Sequence, residues 1–195
     1  KRCVFDAKSL AIYLDRQLLY HANGFPSPIY PRNPWTNQPF TYAQIVSIHA
    51  QLVRHGEARW AMMTYRHVGF DDVRWRHHQK SPLTMNAIRS SILSLDTSDA
   101  RDLLEDFLLR MMDDLQYTVN DTIVAAYREA MKHDPNHWYL QECKKIALIH
   151  YERTHFHLSG RHEVYEMCRR LFPRQLDFFQ ELVHKKLIAR VPSFL

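Results

Sequence analysis

Apolar residues in this chain recur at spacings of three and four wherever they recur at all. Leu10, Ile12, Tyr13, Leu14, Leu18 and Leu19 follow Asp6, a good N-cap, and predict a helix ending near His21. Ile45, Leu52 and Val53 follow Thr41 and Gln44, whose spacing matches a capping box, and this helix is expected to stop at Gly56. Residues 57–80, rich in Trp, Arg and His, show less order, and Ser81-Pro82 then reads as an N-cap and first helical position. The most regular stretch begins near Ser98. There Leu103, Leu104, Phe107, Leu108, Met111, Met112 and Leu115 share one face, with Asp99, Asp102, Asp106 and Asp113 opposite. Further helices are predicted over 119–133, 135–157, 161–172 and 174–190, punctuated by Asp134-Pro135, Gly160 and Pro173. The pattern predicts an all-α fold, a single globular domain of about seven or eight helices. Its motif-bearing part is 1–56, with an ordered Pro-rich loop over 22–40, and its helical body is 57–195.

Composition agrees with a packed chain. Of 195 residues, 46% are apolar and 12% aromatic, enough to build a sizeable core. Four glycines leave little turn chemistry for sheets, and no apolar run approaches the roughly 20 residues a membrane span needs. The first residues lack a signal-peptide pattern, and a start at Lys1 reads as a processed or partial product. Cys3, Cys143 and Cys168 are far apart with no CxxC, which favours reduced, buried thiols.

Charge is unevenly spread. Residues 1–90 hold 12 basic and 5 acidic side chains, residues 91–121 hold 2 and 8, and residues 122–195 hold 12 and 8. Such polarity suits docking to other proteins, and it leaves nucleic acid open as a partner. Arg74, Arg76, His77, His78 and Lys80, with Trp75 among them and Arg54, Arg59 and Arg66 before them, form a basic, aromatic-bearing run. Arginine neutralises phosphate and tryptophan stacks on bases, although no helix-turn-helix, zinc finger or RNP motif accompanies the run. The alternative places Trp60 and Trp75 in the core with the arginines outside. His150, His155, His157, His162 and Cys168 are dense enough to suggest zinc, but their spacings of five, two, five and six do not share a helical face. Asp71-Asp72 and Asp113-Asp114 diverge by about 100° within a helix and read as solvated. Nucleophile elbow, phosphate loop and Cys-His patterns are all missing, so the reading has no catalytic residue, no cofactor, no metal and no small-molecule substrate.

One segment stands apart: NPWTNQPFTYAQ, residues 33–44. Asn33 before Pro34 favours a turn closed by a side-chain acceptor, Thr36-Asn37 favours a second, and Trp35 and Phe40 are expected to pin the loop to the body. Phe40 directly precedes the cap Thr41, where it can staple to Ile45. A rigid loop of this kind is also a low-entropy docking surface formed by Asn33, Pro34, Trp35, Thr36, Asn37, Pro39 and Phe40. These residues, with Val4, Phe5, Asp6 and Leu10 ahead of them, resemble a pattern in uncharacterised proteins of the nucleocytoplasmic large DNA viruses. There an apolar VFD-x-x-x-L lead and a short helix precede Asn-Pro-x-Thr-Asn-x-Pro-Phe-Thr and another helix. The match spans about the first 50 residues. It implies a non-enzymatic structural or assembly protein of a giant virus, a minor capsid or virion-associated protein in the virion, with other viral structural proteins as partners. A nucleic-acid-binding or packaging-associated role is the alternative.

Overall fold

The computed structural model describes residues 4–22, 24–95, 97–156 and 161–192, so Cys3 and His157 lie outside the described residues. The protein is essentially all-α. Helices α1 (Ala7–Leu18) and α2 (Tyr42–Arg54) flank a two-stranded hairpin of β1 (His21–Ala22) and β2 (Phe25–Pro26) and the loop that follows it. Then come α3 (Trp60–His67), α4 (Asp72–His78), α5 (Lys80–Ser94), α6 (Ser98–Asp114), α7 (Asp121–His133), α8 (Trp138–His155), α9 (Arg161–Leu171), a 3-10 turn at Phe172–Arg174, and α10 (Gln175–His184).

Helix starts follow the caps. Asp6 accepts the Ser9 amide at 2.8 Å, Thr97 the Ala100 amide at 3.2 Å, and Asn120 the Ile123 amide at 3.0 Å. Three expectations change. The described helices outnumber the seven or eight expected, because residues 57–80 form α3 and α4. Asp71 caps α4 through the Arg74 amide. Helix α5 begins at Lys80, so Pro82 lies inside its first turn, where a missing N–H leaves no bond unmade. The hairpin pairs His21 with Pro26 and Ala22 with Phe25, and Gly24 supplies the positive φ of 74° that its turn needs.

The chain divides into two compact units, 1–87 and 88–195, rather than after Gly56. The first unit buries Leu10, Leu14 and Leu18 of α1 with Ile45 and Leu52 of α2, Tyr65 of α3 and Trp75 of α4. Residues 57–80 thus belong to the core of the N-terminal part. Tyr65 sits edge-on to Trp75 at 5.5 Å, donates to Asp72 Oδ1 at 2.5 Å, and is flanked by Thr64, which accepts the Trp75 indole at 3.0 Å. Asp72 is therefore a buried tyrosine's partner as well as a rim carboxylate.

The second unit centres on α6, whose Leu104, Phe107, Leu108, Met111 and Met112 are buried as the pattern predicts. Tyr139 stacks on Phe178 at 4.6 Å, and the hydroxyls of Tyr127 and Tyr139 meet at 3.1 Å. Cys143 and Cys168 are both buried free thiols, and burial pushes the Cys168 thiol up to about 12. The two buried charged side chains of this unit are partnered. Glu105 receives a bidentate fork from Arg128, two bonds of 2.7 Å, and the Lys144 ammonium donates to the Pro135 and Leu93 carbonyls at 2.9 and 3.3 Å.

His137 caps α8: its Nδ1 accepts the Tyr139 amide, which leaves Nε2 to donate to Glu181 at 2.9 Å. The Trp138 indole N–H also donates to Glu181, at 3.1 Å, and Arg174 stacks over the Trp138 ring. The indole bond is the main cause that holds the Glu181 carboxyl below its usual range, with the His137 bond adding to it.

Phe107→Ala should lower unfolding stability by about 3–5 kcal/mol in urea titration, as a core truncation does; a loss below about 1 kcal/mol would make that face a partner surface. Because Glu181 titrates lower when folded, its stabilisation is complete above the ordinary glutamate value, about 4.3, and fades as pH falls through the folded value. Glu181→Gln should therefore flatten the acid-side decline of stability below about pH 4.5. An unchanged decline would remove Glu181 from the acid response.

Candidate functional site

The loop between the hairpin and α2 is held by an unusually complete set of bonds. Pro31, Pro34 and Pro39 have no amide hydrogen. Every other backbone N–H from residue 32 to residue 41 has an acceptor. Arg32 N donates to Gln17 Oε1 on α1 at 2.9 Å, Asn33 N to the Gln38 carbonyl at 2.9 Å, and Phe40 N to the Pro31 carbonyl at 3.0 Å. Trp35 N and Thr36 N share Asn33 Oδ1 at 2.9 and 3.3 Å, the Asx turn that Asn-Pro predicts. Asn37 N returns to the Asn33 carbonyl at 2.8 Å, Gln38 N makes a long 3.4 Å bond to Thr36 Oγ1, and Asn37 adopts φ 55°. Thr41 N donates to Gln44 Oε1 at 2.8 Å while Thr41 Oγ1 accepts Gln44 N, which completes the expected capping box.

The two aromatics of the segment part company. Phe40 is 6% exposed and joins Ile45 in the first unit's core, the staple expected beside the cap, and the Tyr30 hydroxyl donates to its carbonyl at 3.0 Å. Trp35, expected to pin the loop to the body, is 75% exposed. The reason is geometric. Trp35 sits at the tip of the Asx turn, Arg32 and Pro39 bridge the neck, and with the base closed by Phe40 the loop is too short for its tip to fold back.

Trp35 and Pro34 form one wall of an open cleft of about 570 Å³. The other wall is Val4, Phe5 and the side of α1 that carries Ser9, Ile12, Tyr13 and Arg16. Leu10 lines the cleft as well as the core, whereas Ala11, Leu14 and Leu18 of the core-facing side do not. The walls are tied together, since Gln17 donates to the Tyr13 hydroxyl at 3.2 Å and accepts the Arg32 amide. An apolar cleft with a preset tryptophan at its edge can grip a protruding side chain of another molecule.

The other candidates are not brought together in this way. Trp75 is 1% exposed and has no free face for a base, whereas Trp60, the other expected core anchor, is 44% exposed. Arg76 donates to the Pro28 carbonyl at 2.7 Å and Arg74 lies 3.8 Å from Asp71. His77 and His78 remain on the exposed side of α4, with Lys80 at the start of α5. Of the histidine cluster, Cys168 is in the core, His162 is exposed, and His155 Nε2 is buried with no hydrogen-bond partner. Among the described residues no three His, Cys, Asp or Glu side chains converge. His150 instead lines a recess of about 150 Å³ with Arg110, Asp114, Thr154 and Tyr165, where the Tyr165 hydroxyl donates to Asp114 at 2.9 Å.

The loop's rigidity can be measured apart from its partner. Thr41→Ala should lower stability by about 1 kcal/mol in urea titration, because the α2 amide loses its acceptor. Pro39→Ala should cost less, through unfolded-state entropy. A Thr41→Ala protein of unchanged stability would show the cap to be redundant.

Compared with protein-family models, with curated proteins and with solved structures, the chain matches none.

Proposed function

We propose that this protein is a non-catalytic assembly protein that docks other proteins through the cleft between Trp35 and α1. The observation that carries the reading is Trp35 itself, three-quarters exposed on a loop whose backbone amides are all partnered. Exposing a tryptophan leaves a large apolar area in water, which burial would recover at about 25 cal/mol per Å². A partner that covers it regains that area and loses little ordering entropy, because the loop is already set.

The resemblance of Asn33, Pro34, Thr36, Asn37, Pro39, Phe40 and Thr41 to the giant-virus motif supports one setting, that of a minor capsid or virion-associated protein assembled in the host cytoplasm. Its partners there are neighbouring structural proteins. The lack of a nucleophile, metal or phosphate-loop pattern in the sequence supports the non-catalytic part. Nucleic-acid packaging is the rival reading, and Trp75 in the core removes the stacking residue that would have favoured it.

Trp35→Ala should leave the melting temperature within about two degrees of wild type, because the side chain lies outside the core, and should abolish incorporation into purified particles. Undiminished incorporation without Trp35, or absence of the wild-type protein from particles, would defeat the reading. Retention on DNA that falls steeply with salt would point to phosphate contacts instead.

A further inference from the structure

The charges on the cleft define its partner further. We infer, resting on the docking reading above, that the cleft takes a short acidic segment of a partner protein, which sets a bulky apolar side chain against Trp35 and a carboxylate on Arg16.

The apolar half comes from the shape of α1. Ser9, Ile12, Tyr13 and Arg16 are spaced three, one and three apart, which is one stripe along α1, and Phe5 lies just ahead of its N-cap Asp6. Pro34 and Trp35 face that stripe across the opening. Large apolar groups on both walls, with Val4 almost fully exposed beside them, suit a leucine or an aromatic ring better than a polar chain.

The acidic half comes from the two charged residues that line the cleft. Asp6 is already engaged: its carboxylate accepts the Ser9 amide at the helix N-terminus, and that bond holds its carboxyl below the usual range. Arg16 is not engaged. It is exposed, and it makes no hydrogen bond or ion pair among the described residues. Other arginines of the first unit do have partners: Arg59 is paired with Asp15, Arg74 with Asp71, and Arg76 with a carbonyl. The surrounding field has the same sign, since residues 1–87 hold 11 basic and 5 acidic side chains.

The test uses the full chain and synthetic peptides of about ten residues, read by fluorescence anisotropy near physiological salt. One peptide carries Leu and Phe anchors flanked by Glu, a second has the same anchors flanked by Lys, and a third replaces the anchors by Ser. The Glu-flanked peptide should bind at least about tenfold more tightly than the Lys-flanked one, and the Ser peptide should not bind. Arg16→Glu should reverse the preference between the first two, and Trp35→Ala should abolish binding of both, each variant melting as wild type does. Equal binding of the Glu and Lys peptides, lost on Trp35→Ala, would overturn the acidic partner and leave the docking reading standing. Binding untouched by Trp35→Ala, or no binding by any peptide, would overturn the proposal at this cleft. A wild-type dimer in sedimentation that Trp35→Ala dissociates would make the occupant a second copy, which also overturns it. Incorporation of Trp35→Ala into particles tests the docking reading separately.

Discussion

Phe40 enters the core of the first unit immediately before the chain turns into α2, and the geometry of the N-terminal region depends on that burial. With Phe40 inside and the Pro31 carbonyl bonded to its amide, the loop from 31 to 40 is closed at its neck. Within so small a ring, Asn33 uses its side chain to take up two successive amides, and three prolines remove donors that would otherwise need acceptors. No free donor remains on which the loop could rearrange. Trp35 is thus held out by the same bonds that keep the loop ordered. Loosening the loop would let the ring find cover, but at the cost of Asx-turn and capping-box bonds, each about 1 kcal/mol.

The two units differ in what they leave uncovered. Among the described residues, the large apolar side chains exposed to solvent include Val4, Phe25, Trp35, Tyr42 and Val73 in the first unit, each more than half exposed, against Leu93 alone at that level in the second. The second unit instead holds polar side chains that are individually matched: Glu105 with Arg128, the His137 imidazole with Glu181, and Lys144 with two carbonyls. Glu105 is buried while its partner Arg128 is 63% exposed, so the fork offsets the desolvation of one carboxylate rather than of two ions. Single exposed apolar residues are ordinary on any surface. Two of those in the first unit, Val4 and Trp35, line the cleft.

Local chemistry was legible in the sequence. Asp6 and Thr41 are acceptors just ahead of a helical pattern, and an orphan amide needs only a near acceptor, so these two caps and most helix spans could be read directly. The inward face of α6 was legible for the same reason of short range. Less legible was anything that depends on distant partners. Residues 57–80 looked irregular because α3 and α4 are only two turns each and their arginines dilute the pattern, and it is the meeting of Tyr65, Trp75 and Asp72 that gives them a core. The division within α5 was likewise hidden, since Leu83 and Ile92 lie on one continuous helix yet belong to different cores.

Trp35 is the instructive case, because a signal for its exposure was present. Tryptophan is mostly buried on average, and that prior favoured packing against the body. Phe40 and Trp35 occupy unlike positions, however. Phe40 is the residue before an N-cap, with Ile45 at the fourth helical position, and this is the one loop site where an apolar side chain has a partner built into the adjoining helix. Trp35 is two residues after the asparagine of an Asn-Pro turn, at the tip, where the backbone bends back toward its own neck and the side chain points outward. Position within a turn constrains direction more strongly than residue type does. An aromatic at a turn tip, with both flanks pinned by proline and by side-chain acceptors, has only the neighbouring helix or another molecule to cover it. Here the neighbouring helix, α1, presents one side as a wall across an open cleft and leaves the ring in water.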